Sequence, residues 1–190
     1  AEGLPNATGY SRGTSNSAAL ASRAAVEAFN VISALRAQQP EALPPNFDAV
    51  LIKALLAHGA GWGELSERIR AVRPDITDWR QQREFIARWL GYGPTDMVRA
   101  LTCTDQRATL VGVGEVGQDN GLIFEAPLPP GLSAQAVMRR LTVTLAWFSP
   151  TNATHQEYLN ARLLISPPQD ELRVRRVDCV HDHAQRGTLQ

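Results

Sequence analysis

The sequence is poor in residues that build disulfide frameworks, metal clusters or nucleic-acid surfaces. Its only cysteines, Cys103 and Cys179, are too far apart in sequence for such a framework or for a CxxC metal site. Two buried thiols are therefore expected, with a single bridge as the alternative in an exported protein. Lys+Arg and Asp+Glu both number 19, so no excess of positive charge favours nucleic acid or an anionic membrane. No cofactor and no metal site are expected.

Long apolar runs and a recognisable start are also absent. No apolar run reaches the length of a membrane span, so no membrane partner is expected. The first residues, Ala-Glu-Gly-Leu-Pro-Asn, carry neither an initiating methionine nor a signal-peptide pattern. We therefore expect the chain to begin inside a longer polypeptide. Its composition fits a soluble protein, and the compartment stays open between cytoplasmic and exported.

The first half of the sequence is helical in pattern. Four helices are predicted from apolar spacing, caps and breakers. The first is rich in alanine and apolar on nearly every face, which is typical of a buried helix. The predicted helices run from Ser15 to Gln38, from Asn46 as N-cap to His58 with Gly59 after its end, from Glu64 to Val72, and from Thr77 as N-cap to Leu90, closed by Gly91 and Gly93.

After Thr104 the apolar period changes to two, which indicates strands. A hairpin turn is predicted at Gln118-Asp119-Asn120-Gly121. The sequence therefore predicts an α+β protein with a helical domain at 1–104 and an antiparallel β-domain at 105–190, the latter incomplete. The predicted strands are Arg107–Val116, Leu122–Ala126, Arg140–Phe148, Ala161–Ser166 and Glu171–Val177.

The stretch that carries chemistry is Gly13-Thr14-Ser15-Asn16-Ser17. A serine at the start of an apolar helix has unpaired N–H groups and the positive end of the helix dipole beside it. Its own N–H can then stabilise an oxyanion on an acyl substrate. A serine that only caps the helix produces the same local pattern, so the stretch alone leaves both readings open.

Three segments together resemble the subtilisin-like serine proteases, or subtilases. Gly13-Thr14-Ser15-x-Ser17 resembles the nucleophile motif Gly-Thr-Ser-x-Ala/Ser-x-Pro. Leu55-Leu56-Ala57-His58-Gly59-Ala60 resembles the end of the next subtilase helix, and Gly91-Tyr92-Gly93 with the short helix after it resembles the segment that closes the peptidase domain. The resemblance covers roughly the first 100 residues. The strand pattern at Leu141–Trp147 is similar to the jelly-roll-like β-sandwich that follows many subtilase domains.

The resemblance implies a serine endopeptidase with Ser15 as nucleophile and the Ser15 N–H as an oxyanion donor. It places Thr8–Arg12 near the cleft for a peptide or protein substrate. The family's motif proline is Ala19 here, which we expect to be tolerated in a first helical turn. The family's histidine and aspartate precede the serine, and the fourteen residues before Ser15 contain neither. Residues 1–190 alone are therefore predicted to be inactive, because the upstream part of the same polypeptide must supply both groups.

Other readings of the sequence are weaker. The order Ser15…Asp178…His181 fits an α/β-hydrolase, but Ser17 stands where the nucleophile elbow needs glycine. His181 and His183 are read as solvated rather than metal-binding, and His58 as a core or C-cap histidine. The alternative function is a non-catalytic β-sandwich interaction module in which Ser15 is only an N-cap. An open sheet edge and an uncovered face would favour self-association.

Overall fold

Helices dominate the part of the chain that the structure describes. This computed structural model describes residues 13–133, 136, 139–154, 161, 163–165 and 188–189. Within these residues the α-helices are α1 Thr14–Gln38, α2 Asp48–Gly59, α3 Gly63–Val72, α4 Trp79–Leu90 and α5 Met97–Leu101. Single 3-10 turns occupy Pro45–Phe47 and Pro130–Leu132. The four helices predicted from the sequence are confirmed, to within a few residues at each end.

The caps differ from the predicted ones by one residue. Asp78, not Thr77, caps α4, and its carboxylate accepts the N–H groups of Arg80 and Gln81 at 3.0 and 2.9 Å. The N-cap of α2 is Phe47 rather than Asn46, because the 3-10 turn precedes the helix. Gly91 ends α4 with a φ of +56°, a conformation that favours glycine.

A small hydrophobic core lies where α1, α2 and α5 meet. Its buried side chains come from the second half of α1, the loop after it, α2 and α5, and partly buried residues of the following segment pack against them. Burial of these groups is the main force that holds the three helices together. The buried members are Ala28, Ile32, Leu43, Leu51, Leu55, Met97 and Ala100.

A half-buried ion pair reinforces the same junction. Arg36, in the last turn of α1, contacts the Asp48 carboxylate at the start of α2. Its Nε also donates to the Leu43 carbonyl at 2.6 Å. An acidic residue in the first turn of α2 is favoured by the helix dipole as well. The end of α1 is therefore fixed to α2 by both apolar and polar contacts.

Two glycine-rich loops pack closely together beside this core. We call residues 59–61 and 93–96 the glycine clip. Gly61 N–H donates to the Pro94 carbonyl at 3.1 Å, and Asp96 N–H donates to the Gly59 carbonyl at 3.0 Å. A Cβ on Gly93, whose φ is +91°, would lie 2.2 Å from the Gly61 carbonyl oxygen. The clip holds the start of α5 against the end of α2.

The predicted antiparallel β-sandwich is wrong. In the described residues the strands are β1 Val143–Thr144 and β2 Thr188–Leu189, paired antiparallel with Val143 opposite Leu189 and Thr144 opposite Thr188. β1 lies within the predicted strand Arg140–Phe148. β2 lies in a terminal segment for which no strand is predicted. A two-residue ladder cannot form one layer of a sandwich, so the α+β class with a jelly-roll-like second domain is not what the chain adopts.

The chain reverses direction at the predicted hairpin around Gln118–Gly121, but the two arms form no hydrogen-bonded strand ladder. Asn120 N–H donates to the Gly117 carbonyl at 3.3 Å in the turn. A Cβ on Gly112 would lie 2.6 Å from the Phe124 ring, so the two flanking segments run side by side. Neither segment is a strand. Glycines between the apolar positions weaken strand pairing, and among the described residues no second layer covers side chains such as Ile123, which is 95% exposed.

The remaining predicted strands are described only in part. Residues 161 and 163–165 of the predicted strand Ala161–Ser166 have no strand assignment. Glu171–Val177 lies outside the described residues.

Candidate functional site

Ser15 lies in the first turn of α1 and is exposed to solvent. The helix begins at Thr14, and Gly13 is the N-cap residue, with no side-chain hydrogen bond closing the helix start. Ser15 is thus the second residue of the helix and is not its cap. The prediction that a glycine precedes a serine at the start of a long helix is confirmed, whereas the reading of Ser15 as an N-cap is wrong.

The surroundings of Ser15 favour negative charge. The first N–H groups of a helix have no intrahelical acceptor, and the dipole places partial positive charge there. No acidic residue lies in the first turn of α1 to offset that charge. Asn16 N–H reaches back to the Gly13 carbonyl at 3.2 Å. The helix start therefore presents an exposed hydroxyl beside N–H groups that can stabilise an anion.

The described part of the chain brings no general base to Ser15. Among the residues that the structure describes, the Ser15 side chain has no hydrogen-bond partner. His155, Asp178, His181 and His183 lie outside those residues, as does the segment Thr8–Arg12. The structure therefore tests neither the rejected α/β-hydrolase order nor the placement of a substrate cleft.

His58 is a structural histidine, as the sequence predicts. It is half-buried in the last turn of α2, and its Nδ1 lies 3.1 Å from Thr144 Oγ1 in β1. Burial, and secondarily the positive charge of Arg99, lower the pKa of His58 below its ordinary value. The neutral ring is the form that this site stabilises, and it links α2 to the strand pair.

The expected burial of the nucleophile helix holds for only half of its length. Ala28 and Ile32 are fully buried in the second half of α1. Residues 13–23 are all exposed, including the largest apolar side chain among them, Leu20, at 67%. By length and composition α1 could also cross a membrane, a test that the core helix of a soluble protein passes too. This finding counts against the sequence prediction that no apolar run reaches the length of a membrane span.

Ala19 occupies a different helical position from the one expected. Because α1 begins at Thr14, Ala19 is its sixth residue and lies beyond the first turn. Its N–H is within the region where an α-helix bonds each N–H to the carbonyl four residues earlier. The expectation that position 19 lies in the first helical turn is therefore wrong, whereas alanine, which keeps that bond, fits the position.

Cys103 is exposed rather than buried, so the expectation of two buried thiols is wrong for this residue. Cys179 lies outside the described residues.

Sequence reasoning missed a cleft beside the glycine clip. The cleft has a volume of about 440 Å³, and the residues that line it include Trp62, Glu64, Arg68, Asp96 and Arg99. Trp62 Nε1 donates to the Gly91 carbonyl at 2.9 Å, which fixes one wall. Equal numbers of positive and negative groups favour no single charge of ligand. The glycine spacing in residues 59–63 is the sequence signal that could have indicated it.

Two of the three segments that carry the subtilase resemblance meet in the glycine clip, namely those ending at Ala60 and starting at Gly91. The third, around Ser15, lies on the exposed half of α1. Comparison of the chain with models of known protein families, with curated proteins and with solved structures found no match. The resemblance therefore rests on these motifs alone.

Proposed function

We propose that this chain contributes the nucleophile to a subtilisin-like serine endopeptidase. In this proposal Ser15 attacks the carbonyl carbon of the scissile peptide bond, and its N–H helps to bind the oxyanion. Histidine and aspartate come from the upstream part of the same polypeptide. Residues 1–190 alone are inactive, because a serine hydroxyl without a base is a poor nucleophile near neutral pH.

The observation that carries the proposal is the position of Ser15. It is exposed in the first turn of a 25-residue helix whose start bears no carboxylate and no side-chain cap. A hydroxyl there is accessible to a substrate and close to N–H groups without acceptors. A serine with only a capping role would occupy the N-cap position, which belongs to Gly13.

The uncovered half of α1 supports the proposal independently. An alanine-rich helix with apolar groups on every face is normally surrounded by protein. In residues 14–23 every side chain is exposed. A nucleophile helix inserted in a larger peptidase core would be covered on those faces, and the same core would deliver the missing base.

A fluorophosphonate probe tests this function. The probe should label the longer polypeptide through Ser15, and Ser15→Ala should abolish labelling, whereas the nearby exposed serine variant Ser17→Ala should retain it. Residues 1–190 alone should stay unlabelled. Absence of labelling in the longer polypeptide, or equal labelling of Ser15→Ala, would rule the protease function out.

A non-catalytic interaction module is the second candidate. The sandwich on which that reading depended is wrong, but the exposed apolar faces of α1 favour a binding role for the helix itself. Labelling of Ser15 in the longer polypeptide would favour the protease. Absence of that labelling would favour this module.

A further inference from the structure

Helices α3 and α4 form an arm that is separate from the core of α1, α2 and α5. We call residues 63–90 the α3–α4 arm. None of the apolar side chains that make up that core, or that pack against its edge, comes from this arm. Ile86 in α4 is fully buried, but it lies outside that core. The arm therefore has an interior of its own.

Contacts within the arm hold α3 and α4 together. The guanidinium of Arg73, at the end of α3, lies 5.6 Å from the ring centroid of Phe85 in α4. Gln82 Nε2 donates to the Ile76 carbonyl at 3.4 Å, and Phe85 packs edge-on against Trp89. These contacts favour movement of the arm as one body. A unit of about 30 residues is too small to be stable alone, so the arm depends on its attachment to the rest of the chain.

The two ends of the arm meet at a narrow neck. The glycine clip closes the neck on one side, and Trp62 Nε1 donates to the Gly91 carbonyl at 2.9 Å just beyond it. Gly63 and Gly91, at the two ends of the arm, have φ values of +49° and +56°. An added Cβ at either glycine would meet no atom within 4 Å. The backbone at these two positions can therefore rotate without a collision, which is what a hinge requires.

The cleft at Trp62 lies between the arm and the rest of the molecule. Glu64 and Arg68 line it from α3, whereas Asp96 and Arg99 line it from the cap and first turn of α5. Rotation of the arm about its neck therefore widens or narrows this cleft.

Charged groups on the two sides of the cleft are placed to attract each other. Arg99 Nη1 would lie 3.0 Å from a Cβ on Gly61, only three residues before Glu64. The Asp96 carboxylate already accepts the backbone N–H of Arg99 at 3.1 Å, as the cap of α5. Within the described part of the chain, neither Glu64 nor Arg99 forms an ion pair. Each is therefore available to the other when the cleft narrows.

We propose that the α3–α4 arm is a hinged lid over the cleft, with Gly63 and Gly91 as the hinge. In the closed form Glu64 pairs with Arg99. In the open form, which the structure shows, the pair is unmade and the cleft is open to solvent. An exposed ion pair changes the ratio of two such forms by up to about fivefold, so both forms should be populated.

Spin-label distances in residues 1–190 test the hinge, in a background of Cys103→Ser and Cys179→Ser. One pair of labels, at Glu67→Cys and Val98→Cys, spans the cleft from α3 to α5. The control pair, at Glu67→Cys and Gln81→Cys, lies within the arm. All three positions are exposed. The pair across the cleft should give two distances or a broad distribution, whereas the control pair should give a narrow one. Equal widths for the two pairs would overturn the hinge.

Charge substitution tests the closing contact. Glu64→Gln should lower the ratio of closed to open forms by up to about fivefold. Glu84→Gln is the matched control and should leave the ratio unchanged, because Glu84 lies on the same arm but pairs with Arg88 outside the cleft. Glu64→Arg should also open the lid, and adding Arg99→Glu should restore closure. Equal effects of Glu64→Gln and Glu84→Gln, or no restoration in the double variant, would overturn the closing pair.

The lid is independent of the proposed protease. Spin labels report the position of the arm in residues 1–190, whereas Ser15 labelling is measured on the longer polypeptide. Either proposal can therefore fail alone.

Discussion

The two halves of α1 share a high alanine content and have different environments. In the second half, Ala28 and Ile32 are fully buried against α2 and α5, and Arg36 is fixed by Asp48 and the Leu43 carbonyl. In the first half, residues 14–23 are all exposed, although they are just as rich in alanine and include Leu20. The difference shows that alanine content predicts a helix, whereas large apolar residues such as Ile32 fix which part of that helix enters the core.

A matched pair of substitutions should show the largest contrast between the halves. Ile32→Ala leaves a cavity in the core and should lower the free energy of unfolding by about 2–5 kcal/mol. Leu20→Ala removes a side chain that is 67% exposed and should change it by less than about 0.5 kcal/mol. Urea denaturation at low protein concentration measures both. Equal losses would mean that the first half is covered in solution.

The packing of α2 and α5 beneath the second half of α1 can be weakened by a substitution in the glycine clip. Gly93→Ala forces a Cβ toward the Gly61 carbonyl at a φ of +91° and should cost about 2–4 kcal/mol. Gly63→Ala is the control, because Gly63 has a φ of +49° and nothing within 4 Å of the added Cβ. It should cost only the conformational strain, about 1–2 kcal/mol. Thermal unfolding that shifts equally in both variants would show that the close contact is not formed.

The pH dependence of stability should come from the packed side of the molecule. His58 has a lowered pKa in the folded protein, so the unfolded chain binds its proton more readily. Stability contributed by neutral His58 is therefore present above the unfolded pKa of about 6.5 and is lost as the pH falls through the lower folded pKa. The slope from this group cannot exceed about 1.4 kcal/mol per pH unit.

His58→Gln should remove that part of the slope between pH 7 and pH 5. Thr144→Val, which removes the hydroxyl that meets Nδ1, should keep most of it because the buried ring still titrates. Chemical denaturation at a series of pH values distinguishes the two. An unchanged slope in His58→Gln would assign the pH dependence to other groups.

Substitution of alanine by glycine in each half of α1 should give the smallest changes in stability. It therefore tests the difference between the two halves most finely. Ala19→Gly in the exposed half should cost at most about 1 kcal/mol, the difference in helix propensity. Ala28→Gly should cost more, because it also removes a buried methyl group from the core. Far-UV circular dichroism and urea denaturation measure both, and an equal cost at the two positions would contradict the unequal packing of α1.

Only those features of the candidate site that depend on neighbouring residues in the sequence were predictable. The helix start at Ser15 and the glycine before it follow from sequence pattern, and His58 is a half-buried structural histidine as expected. The general base cannot be found from the described residues, because a catalytic triad joins groups that are distant in sequence. The cleft at Trp62 and Arg99 was missed for the same reason, since its walls come from two segments of the chain about thirty residues apart.

The sequence by itself determined where the helices are, because apolar spacing, caps such as Asp78 and breakers such as Gly91 act within a few residues of the chain. Tertiary structure decided which faces of those helices are covered, and it decided against the sandwich. Alternating residues become strands only when another segment supplies both the hydrogen-bond ladder and a second apolar layer. Residues 107–126 supply glycines and exposed side chains instead. In the same way, only the positions of α2 and α5 make one half of α1 a core element and leave the half with Ser15 open.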